Sequence, residues 1–411
     1  MLPTRLFRFV TPLYILCAVL PVCGQQLYEQ HRYPRMTFGP AARTAAVREL
    51  ARRSAGGPIA PAAVPLAKAA GTFITFDAPG ANCGPTPPGL CGTFAVSINP
   101  AGEILGYVFD SSGATTGFLR SNQAAFTTFA VAGGLFFNIG GFGPPGSSLN
   151  PGGTGTGFYF DSDFIAHGFV SDSRGTITTF DAPGAGQGTF PLAINPAGEV
   201  TGSFVDADFF SHGFFRDSSG AVTEFDVPGA SSSCPFGLTS PVAINAEGAI
   251  TGGYEDSVCN PHAFLRERNG AVTVVDIPGF LLTAPQTINN AEDIAGFVID
   301  ATGAAHGFVR DNRGSFSTFD LPNAFDYGSA GIGGMVINPS GVIGGGYLDG
   351  NLVSHGFRRA ADGTLTVLDV PGAGTGTVQG TFATTINPAG VISGNYVDAN
   401  GVAHGFVFLP Q

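Results

Sequence analysis

INPAGEVTGSFVDADFFSHGFFRDSSGAVTEFDVPG, residues 194–229, has three polar turns between short runs rich in Phe, Val and Thr, and no helical period. Asn195, Pro196 and Gly198 take the first, second and fourth places of a tight turn, where a type I turn favours those residues. The strand-length run GEVTGSFVD follows and ends at Asp206. A second turn leads into SHGFFR, a DSSG turn leads out, and AVTEFDVPG makes a further strand. With the strand that enters at Asn195, the segment implies four antiparallel strands joined by three hairpins.

The pattern then recurs along the chain. An Ile-Asn or Leu-Asn pair stands at Asn99, Asn150, Asn195, Asn245, Asn289, Asn338 and Asn387. Each of these Asn residues is followed after 11 residues by Asp110, Asp161, Asp206, Asp256, Asp300, Asp349 or Asp398. HGF or HAF follows at His167, His212, His262, His306, His355 and His404, always 17 residues past the Asn, with Thr116 at that place in the first copy. FDxPG-like segments carry Asp181, Asp226, Asp276, Asp320 and Asp369 14 residues past the His, with Ala130 in the first copy, and Asp77 precedes all seven copies. Only the interval from this last position to the next Asn varies, from 13 to 22 residues. Fixed spacing within a unit and variable spacing between units place the length variation in connections on one face of a ring.

These observations predict an all-β fold: a seven-bladed β-propeller of four-stranded antiparallel blades over residues 71–411. A parallel β-helix is the competing architecture, but its coils are shorter and carry no repeated hairpin chemistry. The ring is expected to close by pairing of the N-terminal strand, Thr72 to Pro79, with the last blade, which otherwise lacks a fourth strand; an open seam would leave a sheet edge unprotected. Asp77 would then partner His404.

Ahead of the repeats, Arg5 and Arg8 precede an apolar run from Phe9 to Val22, and Gly24 precedes Gln25. This is the pattern of a signal peptide over residues 1–24, too short for a membrane span, and the protein is expected to be secreted or periplasmic. Acylation of Cys23 is the weaker alternative, because Val22 is bulky for such a site. Residues 25–70 form a basic Ala/Pro-rich leader holding seven of the 18 Arg and Lys; one piece, Ala41 to Arg53, has the composition of a short helix that is marginal without a partner. Beyond residue 70 there is no Lys, and nine Arg face 28 Asp and Glu. So acidic a domain argues against nucleic acid and anionic membrane as partners.

The HGF or HAF triplet after INxAG and GxxxD segments resembles the extracellular HAF-repeat family of bacteria, over about residues 71–411. That resemblance implies an exported, repeat-built protein and no particular reaction. Thr116 and Ala130 depart from it in the first unit.

A His with a nearby Asp invites a general-base role, yet six copies of one pair suit a structural bond in each blade better than one active centre. The expected structural pairs are His167 with Asp181, His212 with Asp226, His262 with Asp276, His306 with Asp320, His355 with Asp369, and His404 with Asp77. Arg120, Arg216, Arg266, Arg310 and Arg359, each four residues past the His position, read as solvated or blade-bridging charges. Asp161 with Asp163, and Asp206 with Asp208, lack the ligand count of a calcium loop, so neither metal nor cofactor is expected. Cys83 and Cys91 share one connection, while Cys234 and Cys259 lie in loops of one face; pairs Cys83–Cys91 and Cys234–Cys259 follow. Between Gly133 and Asn150, Leu135, Phe136, Phe137, Ile139 and Phe142 crowd among glycines. The expectation is that they either pack over the mouth of the ring or form a ligand-binding loop patch of Leu135, Phe136, Phe137 and Phe142. The functional expectation is a monomeric, non-catalytic binding or scaffold module for an extracellular protein or polysaccharide. Its rival is a propeller enzyme acting on carbohydrate.

Overall fold

The structure is a computed structural model that describes residues 66–67, 69–83, 91–131, 134, 136–139, 148–232, 239–325 and 332–411. Among these the fold is all-β, without helices, and no helix is long and apolar enough to cross a membrane. The third unit shows the plan. Its strands Gly188–Ile194, Val200–Val205, Ser211–Arg216 and Val222–Phe225 pair consecutively and antiparallel. The same order recurs from the unit of Asn99 to the unit of Asn387, giving units one to seven in chain order. The seventh obtains its fourth strand from the other end of the chain: Gly71–Phe76 pairs antiparallel with Val402–Pro410, from Gly71 opposite Pro410 to Phe76 opposite Gly405. In the first strands of units three to five the register slips beside Pro191, Pro241 and Pro285, positions where a missing N–H is tolerated only at such an irregularity.

Every unit has two chemically different ends. The Asn turns and the turns between third and fourth strands lie at one, the Asn end. The turns between second and third strands, the FDxPG segments and the connections between units lie at the other, the His end. Neighbouring units keep the same orientation, because Asn side chains bridge them. Nδ2 of Asn99 donates to the carbonyl of Asn150, Asn195 to Asn245, Asn245 to Asn289, Asn289 to Asn338, Asn338 to Asn387, and Asn387 back to Asn99. Meanwhile Oδ1 of the turn Asn of units two to seven accepts backbone N–H groups two and four residues on, as in Asn195 with Ala197 and Glu199, and that of Asn99 accepts the N–H of Glu103, so one residue type shapes the turn and ties the units.

The core consists of the faces between neighbours. The Phe of HGF or HAF, at 169, 214, 264, 308, 357 and 406, and Phe118 at the same position after Thr116 in the first unit, are at most 1% exposed. Burial of a Phe side chain contributes about 1.5–3 kcal/mol, so seven equivalent rings supply a large share of the packing. Hydrophobic clusters join units one and two, two and three, and onward to six and seven. Another joins seven to one through Val407, Ile98, Ile104 and Phe118. Val402 and Ala403 also lie in a parallel bridge beside Cys91 and Gly92. The arrangement is β-propeller-like.

One expectation needs correction. Phe136 and Phe137 are not loop residues: Phe136–Ile139 is a strand of unit two, pairing from Phe136 opposite Phe160 to Ile139 opposite Gly157. The ladder resumes at Leu149 opposite Gly155. Leu135 and Phe142 lie outside the described residues.

Candidate functional site

The His end carries the densest chemistry. The third strand starts there, which places its His near the end of the second strand and the end of the fourth. Two hairpins therefore deliver one carboxylate to each side of the imidazole. Nδ1 lies 3.0 Å from Asp181 in His167, 2.9 Å from Asp226 in His212, 2.7 Å from Asp276 in His262, 2.6 Å from Asp320 in His306 and 2.8 Å from Asp369 in His355. Asp77 lies 2.8 Å from Nδ1 of His404. All six expected pairs form. On the other side of the ring, Nε2 meets the turn Asp at 3.2 Å in His167, 3.3 Å in His212 and 3.2 Å in His262, and at 3.5, 3.7 and 3.8 Å in His306, His355 and His404.

The turn Asp is itself fixed. Oδ1 of Asp206 accepts the N–H groups of Asp208 and Phe210, leaving Oδ2 to face His212, and the same Asx-type geometry recurs in Asp161 and Asp256. The ring faces are covered from across the strand pair: Tyr159, Phe204, Tyr254, Tyr347 and Tyr396 lie 5.0–5.3 Å, centroid to centroid, from their His.

An imidazole between two carboxylates favours the doubly protonated form, since a neutral ring has a single N–H to donate. The basicities follow. The bond to Asp320, Asp369 or Asp77 is the main cause that raises His306, His355 and His404 above the ordinary His value. For His167, His212 and His262 burial acts in the opposite sense, and the bonds to their Asp partners outweigh it, so these too are raised. Where both nitrogens are held by acceptors, the ring has no free lone pair with which to take a proton from a nucleophile. Both nitrogens are held in this way in His167, His212 and His262, whereas in His306, His355 and His404 Nδ1 makes the close contact and Nε2 stands 3.5–3.8 Å from the turn Asp.

In the first unit Thr116 lies across from Val108, and no such clamp forms. The third has a further carboxylate: Glu224 lies 3.6 Å from Nδ1 of His212, and His212, Glu224 and Asp226 hold donor atoms within 4.8 Å of one another.

Cys83 and Cys91 form a disulfide across the connection from the Gly71–Phe76 strand into unit one. Cys259 is disulfide-bonded, and Cys234, its expected partner, lies outside the described residues. Several ties went unforeseen in the sequence. The Thr that opens a first strand accepts the N–H after the FDxPG Asp, as in Ala182 to Thr189 at 3.0 Å, Val227 to Thr239 at 3.0 Å and Ala78 to Thr93 at 2.9 Å. Only the recurrence of Gly-Thr a few residues after PG could have signalled it. Of the third-strand Arg expected as solvated or blade-bridging charges, four bridge units: Arg120 lies over Phe76, Arg216 over Phe180, Arg266 over Phe225 and Arg359 over Phe319, at 4.6–5.0 Å from the ring centroid. At the Asn end, Arg268 of unit four reaches the buried Glu199 of unit three, with Nη1 at 3.0 Å.

No protein-family model matches the chain, and no curated protein matches it. Solved structures do. Puromycin hydrolase is similar with a TM-score of 0.51 and 15% identity, over 83% of this chain and 56% of that one. A prolyl endopeptidase is similar with a TM-score of 0.51 and 10% identity, over 74% and 46%. An acylaminoacyl peptidase of Pyrococcus horikoshii gives 0.46 and 9%, over 74% and 49%. The chain spans about half the length of these proteins, and at such identities the likeness is one of fold. It nevertheless overturns the expectation of a non-catalytic extracellular binding or scaffold module, with a carbohydrate-acting propeller enzyme as the rival: the solved structures similar in fold include a prolyl endopeptidase and a puromycin hydrolase, which are not carbohydrate enzymes.

Proposed function

We propose that the chain is a closed seven-bladed β-propeller and that peptides are the molecules it handles, as part of a hydrolytic activity. The observation that carries the closed ring is the seam. There the last unit bonds the first through Asn387 and Asn99, Val402 and Ala403 lie beside Cys91 and Gly92, and Phe76 of the completing strand stacks with Arg120 of unit one. The peptide reading is supported by the fold shared with a prolyl endopeptidase and puromycin hydrolase. In this reading the six His serve as clamps, and bond cleavage would draw on groups other than these.

The test uses the purified full chain and a mixed library of short peptides, some containing Pro. Retention of a subset, read by fluorescence anisotropy, or their cleavage, read by mass spectrometry, supports the proposal; oligosaccharides run in parallel should show neither. A chain that neither retains nor cleaves any peptide refutes it. We further propose export to an oxidising compartment, favoured by the Cys83–Cys91 disulfide, and membership of the HAF-repeat family. Cell fractionation tests the first.

A further inference from the structure

The charges of the repeat region are segregated by end. All nine of its Arg, from Arg120 to Arg359, stand at the last two positions of a third strand or in the turn that follows, hence at the Asn end. The ten Asp and Glu of that end nearly balance them, Glu199 with Arg268 being the tightest pair. At the His end the described residues include 17 carboxylates and neither Arg nor Lys: the seven turn Asp, the six FDxPG Asp, and Asp163, Asp208, Glu224 and Glu255. Protonation of all six His leaves that end strongly negative. Apolar side chains share the surface: Phe164 is 54% and Val258 72% exposed, both at turns of this end. Phe164 and Phe209 occupy the same turn position in units two and three, on either side of the short connection from Ala182 to Gly188, whose Gly186 lies against Ala207 in the unit-three turn and whose Gly188 lies against Ala166 at the start of the third strand of unit two.

The remaining basic residues of the chain precede the repeats. Residues 32–53 hold Arg32, Arg35, Arg43, Arg48, Arg52 and Arg53 against the single acid Glu49, interleaved with Tyr33, Met36, Phe38, Val47 and Leu50. The chain enters the structure at Leu66–Ala67, which pairs with Leu365–Thr366 at the start of a fourth strand, hence at the Asn end. The 13 residues from Arg53 to Leu66 reach up to about 45 Å when extended. The far end of a unit is only about 20 Å away along a strand, so the basic segment can reach it. The Asn end is close to charge balance and offers that segment little net attraction; the His end offers a large excess of acid and exposed Phe to receive it. We infer that the His end is a docking surface for a basic, partly apolar peptide segment, and that its occupant is residues 32–53 of the same chain, held there by charge complementarity.

This inference stands apart from the peptide-handling proposal, because it concerns the chain's own segment and needs no hydrolysis. Its test compares the full chain with a full chain in which the six Arg of residues 32–53 are changed to Gln. The probe is a fluorescein-labelled synthetic peptide of residues 32–53, followed by anisotropy. The Gln chain should bind it, and the unaltered chain should bind it about tenfold more weakly because its own segment competes. Raising salt from about 0.05 to about 0.5 M should weaken binding at least about tenfold. In the Gln chain, Asp163→Lys with Asp208→Lys, side chains outside the His clamps, should weaken binding at least about fivefold, while Glu247→Lys with Glu292→Lys at the Asn end should not. Circular dichroism checks that each variant is folded. Absence of binding to the Gln chain, salt-insensitive binding, or equal loss from both pairs of variants overturns the docking surface. Equal binding by the unaltered and Gln chains overturns the segment as its occupant. General peptide retention could fail while this binding persists, and the reverse, so the two proposals are separable.

Discussion

The third and the seventh units build the same clamp from differently connected chain. In the third, His212 and Asp226 are 14 residues apart and joined by one hairpin, and their Nδ1–carboxylate distance is 2.9 Å. In the seventh, His404 and Asp77 are 327 residues apart, yet the distance is 2.8 Å. The fourth-strand register agrees as well, Gly405 opposite Phe76 matching Gly213 opposite Phe225. Position in the sheet, not proximity in sequence, therefore sets the geometry. The cost differs in kind: the third unit closes a short loop, whereas the seventh must bring together the two ends of the repeat region, and loop-closure entropy grows with the logarithm of the separation. What holds the seam is the full set of contacts that internal units also make.

The largest effect should come from removing the strand that completes the seventh unit. Deleting residues 71–79 exposes the edge of Val402–Pro410 and removes Phe73, Phe76 and Asp77 from contacts with Phe408, Phe118 and His404. The loss should consume much of a typical stability of about 5–15 kcal/mol, and the cooperative thermal transition should broaden or vanish in circular dichroism. Deleting residues 25–65, which precede every described strand, should shift the midpoint by no more than a few degrees. Equal tolerance of both deletions would break the comparison.

Phe406→Ala and Phe214→Ala probe the same buried position in the two units, each 0% exposed in the native protein. Each should lose about 3–5 kcal/mol in urea unfolding. A markedly smaller loss at Phe406 would mean that the seam is less tightly packed than an internal unit.

A finer probe uses the Gly before that Phe. A Cβ at Gly405 would collide with the ring of Phe76, as one at Gly307 would with Phe319. The fourth unit shows how the chain accommodates the larger residue: it has Ala263, and Val275 takes the place of the Phe. Gly405→Ala should thus lose about 1–3 kcal/mol to overpacking, and Phe76→Val should recover part of that loss in the double variant. A positive coupling of similar size for Gly307→Ala with Phe319→Val would equate the seam with the fifth unit; strictly additive losses would refute the packing account.

The elements that sequence revealed are those in which each unit repeats the same residue for the same bond. Asn195, Asp206, His212 and Asp226 recur because each unit needs that turn or clamp, so their spacing disclosed four strands, the pairing of His with Asp and the partner of His404. Phe136 and Phe137 were misread for the opposite reason. Their strand does not run directly into Asn150 as Gly188–Ile194 runs into Asn195, and an apolar run among glycines resembled a loop patch. The Asn bridges between units were hidden because the same Asn already had a sufficient role within its turn. Charge segregation was hidden by counting charges along the chain; it appears only when the hairpins sort third-strand Arg to one end and turn Asp to the other. Nothing in a single repeated motif disclosed the fold likeness to a puromycin hydrolase and a prolyl endopeptidase, which is a property of the whole array of sheets.

The smallest effect tests the clamp in the one unit that lacks it. In unit one Asp110 already occupies the turn position, with Oδ1 bonded by the N–H groups of Ser112 and Ala114, and the Ser112 hydroxyl is the main cause that keeps its carboxyl below the usual range. Gly117 pairs with Phe129 as Gly213 pairs with Phe225, so the double substitution Thr116→His with Ala130→Asp places both groups in the register of the third unit. The installed partners should form one further clamp and add up to about 1 kcal/mol, the size of a partly exposed ion pair. The imidazole gains acceptors on folding, so its folded pKa should rise as that of His404 does through Asp77. Its contribution is then full below the ordinary His value of 6.5 and is lost as pH rises through the raised folded value. Urea unfolding at about pH 5.5 and about pH 9 should show a gain for the double variant at the lower pH alone, and each single substitution should show little at either. A gain that persists at the higher pH would mean that the new residues stabilise by packing, and the clamp would lose its electrostatic explanation in the other six units as well.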